Sequence, residues 1–339
     1  MDKAQQQILW NDIISENHLK QLSLSVLSGS KVRGRDGEQP SIALRSYDQY
    51  SVRLSNRLAA GTYFPVRYRS KLKVKGPNSY PREISIPAAR DRPVIKALQM
   101  FVREIFLDVT TELPQIHIQR IIDACGMGDY RHFVRIDIRN FYPTIRHDFL
   151  LRKLSERIMV QEALSAIRNV IATETVADNA PARNSMDDEQ TLPSAGIPQG
   201  LALSSLLSEI SLKDVDATFA ECGDVHYERY VDDILLLTRK RMHRKIFKRA
   251  EEAINLAGPV VHPLSATNSK SKFGRIASGV EYLGYKLGGD PSVPSVRDSS
   301  VLSLERRISR LFSDYRRRVA DTGQQKDHDA WLEASLNLI

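Results

Sequence analysis

Apolar positions between residues 8 and 29 recur at three- and four-residue intervals, the spacing of a helix, and the same spacing returns over 47–61. The pattern then changes. Phe64 to Lys75 alternates with period two, breaks at Gly76-Pro77-Asn78 and resumes from Arg82 to Pro87, which predicts a β-hairpin with one basic face. A helix is predicted from Arg92 to Leu107, a short apolar strand from Phe133 to Ile138, and two helices over 147–175. The polar stretch 176–195 carries Pro181, Asp187, Asp188, Glu189 and Pro193 and reads as a surface loop or insert. Leu201 to Phe219 is helical in period. His226 to Thr238 reads as strand, tight turn and strand, with Asp232-Asp233 at the turn. An amphipathic helix over 242–256 places Met242, Ile246, Ala250 and Ile254 on one face, and Val280 to Leu287 is a further strand. A basic helix over 301–320 carries Leu304, Ile308, Leu311 and Tyr315 as its apolar stripe. There are no internal repeats.

Composition narrows the class. The 339 residues are 42% hydrophobic, enough for a sizeable core, and 49 basic against 41 acidic residues leave a net charge of +8. A basic surplus points to an anionic partner, of which nucleic acid is the common case. Cys125 and Cys222 stand far apart, in no CxxC pair, so no disulfide framework or zinc site is expected. The polar start is no secretory signal, and no apolar run approaches the roughly eighteen residues that span a bilayer. A soluble, cytoplasmic protein without membrane contact is expected. The chain stops at Leu338-Ile339 soon after a helix start, as a chain cut short of its natural end would.

The chemistry lies in three carboxylates. Asp137 ends one apolar strand, and Asp232 and Asp233 sit between two others, 232 − 137 = 95 residues further on. Acids at the ends of buried strands are costly unless paired or metal-bound. Strands lying side by side would present all three to shared divalent cations, and two such ions activate an attacking hydroxyl and stabilise a leaving phosphate oxygen. A plain hairpin turn is the competing explanation of an isolated Asp-Asp.

Three ordered motifs decide between them. Tyr230-Val231-Asp232-Asp233, followed by Ile234 to Leu237, resembles the YxDD motif of reverse transcriptases. Asp137 to Ile145 resembles their DxxxFYxxI motif, and Gly196-Ile197-Pro198-Gln199-Gly200 with Ser204 resembles GIPQGxxxS. Arg82 to Pro87 is similar to the RxLxIP fingers segment, and Val280 to Tyr285 to the primer-grip hairpin. Ser205 and Glu209 stand where many relatives of the group II intron type carry Pro and Asn. The retron motifs NAxxH and VTG are absent, and the remainder resembles the bacterial defence-associated and abortive-infection reverse transcriptases.

The resemblance implies an α+β fold of the right-hand polymerase type, with an antiparallel palm sheet. Fingers would come from 1–130 and 150–195, the palm from 131–149 and 196–290, and the thumb from 291–339. It implies RNA-directed DNA polymerase activity, with two Mg²⁺ ions (Mn²⁺ as the alternative) held by Asp137, Asp232, Asp233 and the Ile138 carbonyl. Tyr142, beside Phe141, would close off the space next to the sugar C2′. Arg82 would clamp the triphosphate, since its fork grips two phosphate oxygens. Gln199 and Gly200 would approach the base pair, and Lys270 or Lys272, both in a loop, would protonate the departing pyrophosphate. Lys71, Lys73 and Lys75 on the hairpin, Gly284 on the primer grip, and Arg306, Arg307 and Arg310 on the thumb would touch nucleic acid; the lysines serve equally well as a solvated strand face. The eight histidines form no ligand cluster. Expected partners are an RNA template, a DNA product, dNTPs and, for the defence group, a dedicated noncoding RNA, with oligomerisation left open. The rival readings are a template-independent or RNA-synthesising polymerase and a non-catalytic RNA-binding scaffold.

Overall fold

The fold is described from a computed structural model, for residues 1–74, 81–109, 112–177, 192–220, 222–265, 269–287, 294–322 and 325–336. Four helices come first: α1 (Lys3–Ile13), α2 (Glu16–Leu27), α3 (Pro40–Arg45) and α4 (Tyr47–Ala59). The hairpin β1 (Tyr68–Lys73) and β2 (Arg82–Ile86) follows, then α5 (Arg92–Ile105) and α6 (Pro114–Gly126). Next come β3 (His132–Arg139), α7 (Phe141–Thr144), α8 (His147–Ser155), α9 (Gln161–Ala172) and β4 (Thr175–Val176). The second half holds α10 (Ser204–Ser211), α11 (Lys213–Ala220), β5 (Val225–Tyr230), β6 (Asp233–Thr238) and α12 (His243–Leu256). It closes with β7 (Val260–Val261), β8 (Lys272–Arg275), β9 (Val280–Tyr282), β10 (Tyr285–Leu287), β11 (Ser295–Val296), α13 (Asp298–Thr322) and α14 (Gln325–Leu336).

The helix predicted over 8–29 is two helices. Ser15 accepts a hydrogen bond from the His18 amide and caps a second start, so the apolar spacing continues across a break in the backbone. Leu201 to Phe219 likewise divides at Leu212. Val280 to Leu287 is a hairpin rather than one strand: Leu283 (φ 45°) and Gly284 (φ 88°) turn it, and Tyr282 pairs with Tyr285. Lys272 lies on β8, paired with Arg135, and not in a loop; only Lys270 keeps that setting. Helix α6, unforeseen from the pattern, packs against β5, and its Ile118 and Ile121 are buried.

The central sheet runs β5-β6-β3, all antiparallel, with β7 and β8 sharing the far edge of β3. Its middle strands are covered on both faces, which is why β6 reads as an unbroken run Ile234-Leu235-Leu236-Leu237, each 0–1% exposed. Alternation sorts the two faces. Ile234 and Leu236 join Val134, Ile136 and Ile138 in the main core, beneath α5, α8, α9 and α10. Leu235 and Leu237 join Phe133 on the other face, under Val280, Tyr282 and Leu287 of the β9–β10 hairpin. Asp137, Asp233 and Arg135 belong to this second face, at the end where its apolar cover stops.

Candidate active site

Register brings the acids together. Asp137 on β3 stands directly opposite Asp233 on β6, and Tyr230 on β5 pairs with Asp233 across the turn. Directly opposed residues point to the same face of a sheet. Between the strands the chain turns through Val231 at φ 56°, a left-handed conformation that is a true outlier for a β-branched residue. Asp232 follows at the apex, half-buried.

Asp233 and Asp137 have local partners that the sequence did not disclose. Arg135 lies two residues before Asp137, on the same face, and grips both oxygens of Asp233 at 3.0 and 2.8 Å. Burial pushes the Asp233 carboxyl above its ordinary value; Arg135 pulls it back, and the charges of Asp232 and Asp137 push it up again. His262, beside β7, sets its Nε2 3.3 Å from Asp137 Oδ1, while its amide donates to the Asp137 carbonyl at 2.9 Å. Burial lowers the pKa of that imidazole, against the pull of Asp137. The Asp137 amide donates to the buried Ser271 hydroxyl at 3.1 Å. Tyr282 of the β9–β10 hairpin donates to the Asp233 carbonyl at 3.1 Å, tying that hairpin to the acid strand.

Three like charges at one half-buried edge form a donor set of hard oxygens that suits Mg²⁺, which takes a few carboxylates and completes its shell with water and phosphate. Asp137, Asp232 and Asp233, with the Ile138 carbonyl on the strand of Asp137, are the candidate donors. Among the described residues no three acidic, His or Cys side chains close on a single point.

The predicted nucleotide-facing residues lie on the segment after β3, the loop before α10 and the β1–β2 hairpin. Tyr142 is half-buried, with its ring 5.5 Å from Phe141 and its hydroxyl 3.2 Å from the Ser208 hydroxyl. Burial raises the Tyr142 pKa, and the hydrogen bond from Ser208 lowers it. Phe141 itself is 3% exposed and sits in the main core, so it supports Tyr142 from within rather than facing a substrate. The Gly196–Gly200 loop is laced to the first motif: Gly196 donates to the Ile145 carbonyl and Ile197 to the Tyr142 carbonyl, both at 2.8 Å. It is laced to the β1–β2 hairpin as well, since Ser85 of β2 donates to the Gln199 carbonyl at 2.7 Å. Gly200 has φ +102°, and a Cβ there would stand 2.8 Å from Ile84 and 3.3 Å from the Ser85 carbonyl. The close approach read from this glycine is therefore to the chain's own strand β2.

The basic residues spread more widely. Lys71, Lys73 and Arg82 are exposed on the β1–β2 hairpin, with Lys73 opposite Arg82; Lys75 lies outside the described residues. Lys270 and Lys272 are exposed beside the edge of β3. Gly284 offers its carbonyl to the Arg297 amide at 2.9 Å, joining the β9–β10 hairpin to the start of α13. Arg306, Arg307 and Arg310 are exposed along α13. No helix among the described residues is long and apolar enough to cross a membrane.

A sheet that carries opposed carboxylates on adjacent antiparallel strands, in a chain that also holds a basic hairpin and a C-terminal pair of packed helices, fits a right-hand polymerase. Residues 72–287 match the family described as reverse transcriptase (RNA-dependent DNA polymerase), and the chain belongs to that family. It is 21% identical, over 230 residues, to the putative COX1/OXI3 intron 1 protein of Saccharomyces cerevisiae, covering 64% of this chain and 26% of that protein. Among solved structures, apo telomerase from Candida tropicalis, truncated of its C-terminal domain, superposes with a TM-score of 0.50 at 11% identity, over 76% of this chain and 60% of that one. Telomerase from Candida albicans, in complex with a fragment of telomeric RNA, gives 0.49 at 15% identity, over 69% and 46%. The chain thus spans about a quarter of the curated relative and roughly half of each telomerase. The match to the Candida tropicalis structure carries the α+β right-hand polymerase fold.

Proposed function

We propose that this chain is an RNA-directed DNA polymerase that adds deoxynucleotides to a 3′ end. The observation that carries the reading is the register that sets Asp137 opposite Asp233, with Asp232 at the adjoining turn, inside a reverse transcriptase domain. Divalent cations bound by Asp137, Asp232, Asp233 and the Ile138 carbonyl would supply charge neutralisation for phosphoryl transfer. The chain's own residues do the positioning, which carries much of the catalysis in such a reaction. Arg82, exposed at the turn end of the hairpin, holds triphosphate oxygens. Tyr142 packs beside the sugar, and the Gln199–Gly200 loop, fixed to β2, backs the nascent pair. The residues over 1–130 and 150–195 act as fingers, those over 131–149 and 196–290 as palm, and those from 291 onward as thumb. Exposed Arg306, Arg307 and Arg310 suit the phosphates of a template–product duplex.

Primer extension on an RNA template, with both nucleotide sets and with Mg²⁺ withheld in a control, tests the proposal. Asp232→Asn keeps the side-chain size and removes one charge; synthesis should be lost while the protein still folds and binds RNA. Wild-type rates in the purified variant would remove Asp232 from the mechanism. A role in antiphage defence with an associated noncoding RNA draws its support from the motif resemblance. Plaque counts for the intact locus against an Asp137→Ala version test it, and equal counts across a broad phage panel would count against it.

A further inference from the structure

Arg229 lies on β5, two residues before the left-handed Val231, and its side chain is 7% exposed. Its Nε and Nη2 donate to the two oxygens of Asp216 on α11, at 2.7 and 2.6 Å. Its Nη1 carries two hydrogens and has two acceptors: Glu209 Oε2 on α10 at 2.6 Å, and the Val231 carbonyl at 3.1 Å. Tyr227 donates to Asp216 at 2.7 Å and stacks on Phe219, fixing that anchor in turn. Two acids from two helices therefore hold a guanidinium whose remaining hydrogen bond goes to the turn itself.

The Val231 carbonyl belongs to the planar peptide that joins Val231 to Asp232. Holding its oxygen fixes the plane from which the Asp232 Cα hangs. A β-branched residue keeps a positive φ only where its surroundings over-determine it. We propose that Arg229, anchored by Glu209 and Asp216, is a positioning residue that holds the Val231–Asp232 peptide in the one orientation that aims the Asp232 carboxylate at the place where divalent cations would bind. This rests on the polymerase reading of the turn. An arginine is needed because only a fork satisfies Asp216 in bidentate fashion and still spares a nitrogen for two further acceptors. Glu209 selects which way that nitrogen faces.

The test compares Glu209→Ala, Glu209→Gln and Arg229→Lys with the wild type. In the free protein, hydrogen exchange is read over the peptide 229–234 with β3 as internal reference. On a poly(rA)–oligo(dT) substrate, kcat and KM for dTTP are read. Glu209→Ala should raise exchange at the turn but not in β3. It should lower kcat about tenfold or more and leave KM within about twofold, because the clamp acts on alignment rather than on ground-state binding. Glu209→Gln keeps an acceptor for Nη1 and should restore most of both readouts. Arg229→Lys keeps the charge but loses the fork, and should behave like Glu209→Ala; it decides the matter if Glu209→Ala does not fold. A folded Glu209→Ala or Arg229→Lys with unchanged exchange at the turn overturns the clamp. Wild-type protein that extends no primer would sink the polymerase reading instead, and the exchange arm alone would then judge the clamp.

Discussion

Arg135 holds both oxygens of Asp233, one strand over and one pair along, at 3.0 and 2.8 Å. Each side chain keeps 21% of its surface exposed. The pair offsets one of three clustered negative charges before any cation binds. Arg135→Ala would leave Asp233 facing Asp137 and Asp232 alone. Removing one partner of a fully buried pair costs about 3–5 kcal/mol, and solvent access here brings the expected loss to about 1–2 kcal/mol at neutral pH. Equilibrium denaturation measures it; Arg135→Lys should recover part, and an unchanged midpoint for Arg135→Ala would show the pair to be inert.

Gly200 packs the loop before α10 against β2. Its φ of +102° and the 2.8 Å gap between a would-be Cβ and Ile84 disfavour any side chain. Gly200→Ala should cost about 1–3 kcal/mol, the usual range for forcing such backbone strain. It should also weaken the hydrogen bond from Ser85 to the Gln199 carbonyl, so kcat/KM for dNTP should fall along with Tm. A variant that melts with the wild type would mean that the loop shifts without strain.

The strands that carry the acids were legible because periodicity and motif agree there: β3, β5 and β6 form where the alternation and the apolar run place them. What holds the acids was not legible. Arg135 looks like any charge inside a strand until the register sets it diagonal to Asp233. His262 is one of eight scattered histidines, and only the pairing of β7 with β3 brings it to Asp137. Glu209 registered only as a departure from the group II intron pattern, and its reason lies in Arg229, twenty residues away. Lys272 was misread because β8 is four residues long, too short for a period to show. Long-range partners of this kind leave no local signal.

Asp91, in the 3₁₀ turn before α5, is a buried acid far in sequence from the three carboxylates. It accepts from the Val66 amide at 3.0 Å and from the Tyr63 hydroxyl at 3.2 Å. Burial, only partly offset by those bonds and by Arg90, pushes its pKa up to about 6. A carboxyl that binds its proton more tightly when folded stabilises fully below its unfolded pKa, and that gain is lost as the pH rises through the folded value. Stability should therefore fall between about pH 4 and pH 7, by roughly 3 kcal/mol at most from this group. Asp91→Asn removes the titration, so its stability profile should be flatter than the wild type's over that window. Parallel profiles would place the pH dependence elsewhere.

Tyr142 is the test of which sugar the site accepts. Its ring is wedged between Phe141, at 5.5 Å, and α10, where its hydroxyl meets Ser208 at 3.2 Å. Held from two sides, the ring cannot swing away cheaply. A 2′-hydroxyl entering the space beside it must displace it or lose alignment with the reacting atoms, and misalignment is costly in rate. Tyr142→Ala or Tyr142→Val should therefore raise ribonucleotide use relative to deoxynucleotide use by about tenfold or more, or about 1.4 kcal/mol of differential transition-state stabilisation. Deoxynucleotide use should fall as well, since the same ring packs against the sugar. Tyr142→Phe separates the two supports: it loses the bond to Ser208 but keeps the wedge, so its selectivity should stay near that of the wild type. The measurement is the ratio of kcat/KM for a matched dNTP and rNTP in each variant. An unmoved ratio in Tyr142→Ala would make the ring a packing residue and remove the structural argument for DNA rather than RNA synthesis.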